Sequence, residues 1–226
     1  MEKKEQQSNN DQFLFANNVI DVKEITAGKF ILSFKKQFGC KPGQVVALSV
    51  NHSIAPRIYS LCNGSNDSQL QILFDLNSDG VLTPKLSQLK PGDRIYVSKP
   101  YGQYLPSEKE PMWWIATGTG IAPFHAMLRS GYRAVKLIHG ARESSQFYFA
   151  DEFGEALKEN YIRCNSGTDG SGAFAGRVTR YLQECNALPM NIKYYLCGQT
   201  SMVVEVRDLL ISKGIPYENI IAEIFF

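Results

Sequence analysis

The chain has 226 residues, room for one large domain or two ordinary ones, and its 44% hydrophobic and 20% charged residues are the composition of a soluble globular protein. Its net charge of +2 is spread thinly, with 12 basic against 9 acidic residues in 1–105 and 12 against 13 in 106–226. That balance is too small to suggest the concentrated basic face of a nucleic-acid binder; it allows weak docking of an acidic protein and fits an ordinary solvated surface at least as well. No apolar run approaches the roughly 18–20 residues of a membrane span.

The start, Met1 to Asp11, is polar and reads as a disordered leader, neither signal peptide nor anchor. The first half then reads as short strands punctuated by turns. Phe30–Phe34, Val45–Val50, Leu70–Phe74 and Arg94–Ser98 are rich in β-branched and aromatic residues. Lys41-Pro-Gly43 and Lys90-Pro-Gly-Asp93 are tight turns, and a short helix fits Pro84–Leu89. Arg57-Ile-Tyr-Ser60 lies at a strand end. Arg57 offers a fixed-charge fork for phosphate, Tyr59 a flat ring on the same strand face, and Ser60 a small hydroxyl. In Gly80-Val-Leu-Thr83, backbone N–H groups and the Thr83 hydroxyl suit a second phosphate, while a plain N-cap at Thr83 fits equally well.

The boundary falls near Tyr104–Glu110, and from there strands alternate with helices. Met112–Thr117 is an apolar strand, followed by Gly118-Thr-Gly-Ile-Ala-Pro123 and a helix opening at Pro123. Such a loop lets backbone approach a pyrophosphate, and the absence of a following Gly-Lys-Ser/Thr disfavours a Walker loop. Val135–His139 is the next strand, Asp151–Asn160 a helix, Tyr194–Cys197 a buried strand, and Met202 to Leu210 recur at helical spacing until Gly214. Ile220–Phe226 closes the chain as a strand. The expected architecture is an antiparallel β-barrel, 1–105, followed by a parallel-sheet, Rossmann-like α/β domain, 106–226.

Cys40, Cys62, Cys164, Cys185 and Cys197 include no C-x-x-C pair, so zinc and iron–sulfur ligation are not expected and a reducing, cytoplasmic setting is. His52, His125 and His139 share no ligand spacing and read as structural or surface residues.

In this order, Arg-x-Tyr-Ser, Gly-x-x-Thr, Gly-Thr-Gly-Ile-Ala-Pro and Leu196-Cys-Gly198 resemble the ferredoxin–NADP reductase family, closest to its short bacterial members. The likeness runs from about Asn17 to Phe226 and takes in the Lys41-Pro-Gly-Gln44 and Leu89-Lys-Pro-Gly-Asp93 turns. It implies FAD in the barrel and NADPH or NADH in the α/β half. Arg57 would meet the FAD pyrophosphate, Tyr59 would stack on the isoalloxazine and Ser60 would bond near N5. Phe74, Asp75 and Leu76 would line the flavin with backbone, and Val81, Leu82 and Thr83 would form its phosphate loop. Gly118, Thr119 and Gly120 would cradle the nicotinamide pyrophosphate, with Thr119 also near the flavin. Cys197 and Gly198 would lie beside the reacting carbon, although a small core residue is an ordinary reading of Cys197. Glu223 would act nearby, Phe225 would cover the flavin and Phe226 would touch the adenine. Where NADPH-specific members carry a Ser-Arg pair, this chain reads Arg163-Cys-Asn-Ser-Gly167. Arg142 and Arg177 remain for the 2′-phosphate, so NADPH is favoured over NADH only slightly. The implied activity is electron transfer from the coenzyme through FAD to ferredoxin, flavodoxin or another small carrier, by a monomer with no nucleic-acid partner and no membrane insertion. The alternative is a reductase component or relay subunit of an oxygenase or dehydrogenase complex.

Overall fold

The computed structural model describes residues 14–225, apart from 169, 171 and 173, and gives backbone alone for Ile224 and Phe225. The leader and Phe226 lie outside the described residues. The chain forms two compact units, Met1–Leu105 and Pro106–Phe226.

The first unit has six strands: β1 (Phe15–Thr26), β2 (Lys29–Lys35), β3 (Val45–Ser49), β4 (Arg57–Ser60), β5 (Gln69–Asp75) and β6 (Arg94–Val97). All pairings are antiparallel, in the order β4-β3-β6-β1-β2-β5. A bridge between Leu61 and Ile72, with the Cys62 N–H donating to the Gln71 carbonyl at 2.9 Å, joins the two outer strands and closes the barrel. Side chains alternate in and out, so Leu32, Phe34, Val46, Leu48, Leu70, Ile72, Phe74, Ile95 and Val97 share one core. A single helical turn, α1 (Thr83–Leu86), follows β5. Leu82 and Leu86 anchor it in that core, each burial contributing about 1.5–3 kcal/mol.

β1 was not among the expected strands. Asn17-Asn18 looks like a turn in sequence, yet Asn17 is buried, its amide donating to the Lys35 carbonyl at 2.9 Å and its Oδ1 accepting the Asn18 N–H at 2.7 Å. β1 pairs first with β6 and then with β2, with register breaks after Val19 and Glu24, which is how one long strand turns a barrel corner.

The second unit runs β7 (Met112–Thr117), α2 (Ala122–Arg129), β8 (Lys136–Ala141), α3 (Ala150–Leu157), β9 (Tyr161–Asn165), β10 (Phe174–Ala175), α4 (Val178–Glu184), β11 (Lys193–Gln199), α5 (Thr200–Ser212) and β12 (Ile220–Phe225). The sheet is parallel, in the order β10-β9-β8-β7-β11-β12. β7 is apolar from Met112 to Ala116 because both of its faces are covered. On one face Trp113, Ile115, Tyr194 and Leu196 pack with Val178 and Leu182 of α4 and Met202, Val206 and Leu210 of α5. On the other, Trp114 stacks on Phe124 of α2 at 5.5 Å and meets the edge of Phe153 of α3 at 6.5 Å. The helix expected to reach Asn160 ends at Leu157, because Lys158 turns to φ +50° and a 3-10 turn follows. β10 and α4 were not anticipated. β10 has two residues, and α4 includes the poor helix formers Val178, Thr179 and Tyr181.

Candidate functional site

The strand order of the second unit's sheet reverses at β7, with β8 on one side and β11 on the other. In open α/β sheets the crevice beyond such strand ends is where ligands bind. Here β7 ends in Thr117-Gly118-Thr119-Gly120 and β11 in Cys197-Gly198-Gln199. A Cβ on Gly120 would stand 2.4 Å from the Cys197 carbonyl oxygen and from Gly198 Cα, and one on Gly198 would stand 2.4 Å from Thr117 Oγ1. The two strand ends therefore touch backbone to backbone, and the Gln199 N–H donates to Thr117 Oγ1 at 3.4 Å. Gly118 has φ +56° and open space where its side chain would be. Gly118–Ile121 is a 3-10 turn leading into α2, which carries Pro123 in its first turn. Its N–H groups and the positive end of the helix dipole suit an anion.

Cys197 is fully buried, opposite Ala116 on one side and Glu223 on the other. Burial first, and the neighbouring Glu223 carboxylate second, push its thiol well above the ordinary range, so it is an uncharged group at neutral pH. Arg142 follows β8, and Arg177 precedes α4 just after β10, so both lie at the same end of the sheet as the glycine turn. Both are exposed, and neither guanidinium has a carboxylate partner among the described residues. Arg163 faces the Phe147 ring at 5.8 Å. The loops after β8 and β9 are tied by the Ser166 N–H donating to the Ala141 carbonyl at 2.9 Å and the Ser166 hydroxyl to the same oxygen at 3.3 Å.

In the first unit, barrel closure sets the strand bearing Arg57, Tyr59 and Ser60 next to the strand ending in Phe74 and Asp75. Arg57 is exposed and Tyr59 half-buried, its edge against Phe74 at 6.4 Å. Burial pushes the Tyr59 phenol up to about 12, against the opposing pull of Arg57. Phe74 is core and stacks on Phe30 at 5.4 Å, Asp75 pairs with Lys29 at 3.1 Å, and Leu82 is buried. These residues offer a ligand their backbone groups, while Leu76 and Val81 expose apolar side chains. The Thr83 hydroxyl accepts the Asn77 N–H at 3.0 Å and donates to the Asn77 carbonyl at 3.2 Å, so it closes the 77–83 loop.

A family profile described as "Oxidoreductase NAD-binding domain" matches residues 114–208. The electron transfer component of toluate 1,2-dioxygenase from Pseudomonas putida is 29% identical over 223 residues, 92% of this chain and 66% of that protein. A ferredoxin–NADP reductase from Azotobacter vinelandii is 27% identical over 199 residues, 76% of this chain and 77% of the relative. The chain is thus similar to ferredoxin–NADP reductases, as its motifs imply. Among solved structures, a ferredoxin NADP+ reductase from Neisseria gonorrhoeae with bound FAD and NADP superposes with a TM-score of 0.84 at 20% identity, covering 94% of this chain and 99% of that one. The family's barrel followed by a parallel sheet is the fold found here, as the sequence led us to expect.

The motif residues are thus gathered on each unit, Arg57, Tyr59 and Ser60 on β4 and Gly118, Thr119, Gly120, Cys197 and Gly198 at the switch point. Sequence reasoning passed over Thr117, whose hydroxyl ties the two strand ends, and Gly140, where a Cβ would meet Val178 at 2.8 Å and Thr117 at 2.9 Å. It also passed over Asn51, whose Oδ1 accepts the Ser53 and Ile54 N–H groups at 3.0 Å and folds the loop that delivers Arg57. Asn51-His-Ser53 has the pattern of an Asx turn, the local signal that was available.

Proposed function

We propose that the chain is an FAD-dependent oxidoreductase that takes hydride from NADPH or NADH and delivers single electrons to a separate carrier protein. The observation that carries this reading is the backbone contact of Gly120 with Gly198 beneath an open Gly118. It makes a pyrophosphate cradle of N–H groups where a side chain would intrude. The first unit fits a flavin dinucleotide in the same physical sense, because Arg57 is an exposed cation with no carboxylate partner among the described residues, two residues from a half-buried aromatic face at Tyr59.

FAD, when bound, supplies the conversion of a two-electron hydride into single electrons. The chain's residues bind and orient. Arg57 neutralises phosphate charge, Tyr59 presents a flat apolar face, and Ser60 holds a hydroxyl toward the ring. Backbone groups of Phe74, Asp75, Leu76, Val81, Leu82 and Thr83 line the remainder. Gly118, Thr119 and Gly120 hold the coenzyme pyrophosphate, and Gly198 lets the nicotinamide approach. Cys197, small and uncharged, shapes that approach without attracting water, and Glu223 on the paired strand sets a carboxylate beside it. The family likeness assigns Phe225 to cover the flavin and Phe226 to meet the adenine, and both side chains lie outside the described residues. Arg142 and Arg177 take the 2′-phosphate, which NADH lacks.

The acceptor is assigned as ferredoxin, flavodoxin or a similar acidic carrier, and the working unit as a cytoplasmic monomer. Among the described residues no helix is long and apolar enough to cross a membrane. The alignment with the dioxygenase component over 92% of the chain favours a second reading, a reductase serving an oxygenase system. The test is steady-state NADPH oxidation by FAD-loaded protein with a ferredoxin, a flavodoxin or a two-electron quinone as acceptor. Turnover with the single-electron carriers is expected. Turnover with the quinone alone would refute the carrier assignment.

A further inference from the structure

The segment between β8 and α3, Arg142–Phe149, carries one of the two arginines assigned to the coenzyme, so its position relative to the glycine turn decides what Arg142 reaches. Three contacts fix it. The Gln146 side chain folds back to accept the Arg142 N–H at 3.1 Å. Phe147 is buried with its ring edge-on to His139 at 5.2 Å. Phe149 lies face to face on His125 at 3.6 Å with an interplanar angle of 10°.

The last contact holds a strained residue. Phe149 has φ +58°, and with Lys158 it is one of two described non-glycine residues in that region. Such a conformation persists where the surroundings over-determine it. His125 supplies those surroundings. It is buried on α2, beyond the glycine turn, and its Nε2 meets Glu152 of α3 at 3.0 Å. Glu152 also meets Arg129 of α2 at 3.5 Å. The His125 hydrogen bond first, and the nearby charges of His125 and Arg129 after it, hold the Glu152 carboxyl below the usual carboxylate range against its own burial. One side chain on α2 thereby links the helix that begins at the pyrophosphate cradle to the strained end of the Arg142 segment.

We propose that His125 is a positioning residue for coenzyme discrimination: its stack on Phe149 sets the distance between the Gly118–Gly120 turn and Arg142, and so how well the chain distinguishes a 2′-phosphate from a 2′-hydroxyl. This rests on the assignment of Arg142 under the proposed function. His125 touches neither phosphate and acts through the segment.

The test compares His125→Ala, His125→Phe, Phe149→Gly and Arg142→Ala in the full-length, FAD-loaded protein. Affinity for 2′,5′-ADP and for 5′-AMP is measured by calorimetry, and kcat/KM for NADPH and NADH by steady-state kinetics. His125→Ala is expected to lower the 2′,5′-ADP to 5′-AMP affinity ratio and the NADPH to NADH ratio by roughly three- to tenfold, the scale of one weakened charge-assisted hydrogen bond, with the change in KM rather than kcat. His125→Phe keeps a ring against Phe149 and should restore most of the ratio. Phe149→Gly removes the stack while relieving the left-handed strain, so it should fold and still lose the ratio. Adding His125→Ala to Arg142→Ala should lower the ratio no further. An equal loss for both nucleotides in His125→Ala, or an additive loss in the double variant, would overturn the proposal while leaving the Arg142 assignment standing. No effect of Arg142→Ala itself would overturn both.

Discussion

On the proposed reading, the two units meet phosphate by opposite means. In the barrel, the outer strands close through Leu61 and Ile72 while Arg57 sits on an exposed strand start, so its charge is an addition to the closed fold. In the parallel sheet, the cradle is the fold itself, since Gly120 and Gly198 are where β7 and β11 meet. A site made by a side chain can be removed without disturbing its scaffold, and a site made by missing side chains cannot be filled without moving backbone.

The largest expected effect follows from the second case. Gly198→Ala adds a Cβ 2.4 Å from Thr117 Oγ1 at a residue with φ +144°. Strain and overpacking together should destabilise the protein by about 2–4 kcal/mol, lowering Tm by roughly 5–15 °C. A calorimetric scan showing an unchanged Tm would break the contrast at its stronger side. Arg57→Ala should behave oppositely. FAD affinity should fall roughly 10–100-fold, about 1.5–3 kcal/mol, while the Tm of the FAD-free protein moves by no more than about 2 °C. Unchanged FAD retention in a titration removes Arg57 from the site.

The units differ in acid sensitivity as well. Both buried histidines belong to the second unit, and burial holds His139 down to about 3, with Nδ1 sharing a hydrogen bond with the Tyr161 hydroxyl at 3.0 Å. Since the folded value is depressed below the unfolded one near 6.5, the stability it permits is fully present above pH 6.5. It is lost as pH falls toward 3, because the unfolded chain takes a proton that the folded chain refuses. The slope from this group is at most about 1.4 kcal/mol per pH unit. Urea melts of wild type and His139→Gln at pH 7 and 5 should show a smaller loss in the variant, and equal losses would place the acid sensitivity elsewhere. The smallest effect is on coenzyme choice. Arg142→Ala or Arg177→Ala should reduce the NADPH to NADH ratio of kcat/KM by roughly three- to tenfold. If wild type already uses NADH as well as NADPH, neither arginine serves the 2′-phosphate.

What could be read from the sequence followed how local each signal was. Val45–Ser49 and Gln69–Asp75 are rich in strand-forming apolar residues, and Met112–Thr117 runs straight into Gly118, so these elements and the glycine turn stood out. β1 was hidden because Asn17 satisfies its amide on Lys35, a residue distant in sequence. The role of Gly198 was legible only by family likeness, since the Thr117 atoms it must clear lie 81 residues earlier. Thr83 was read equally as a phosphate-binding hydroxyl and as a plain N-cap, and only the folded loop shows its hydroxyl bonded to Asn77. His125 gave no signal at all, because its partners Phe149 and Glu152 are brought together by helix packing and by no spacing in the chain.

The central claim is that one unit holds a flavin and the other presents it with a reduced nicotinamide. Anaerobic rapid mixing of the FAD-loaded protein with NADPH, followed through the visible flavin band, tests this most directly. The account predicts bleaching in a saturable phase that Arg57→Ala loses through loss of FAD and that Gly198→Ala loses with FAD still bound. A flavin that stays oxidised in wild type under saturating NADPH and NADH would contradict it.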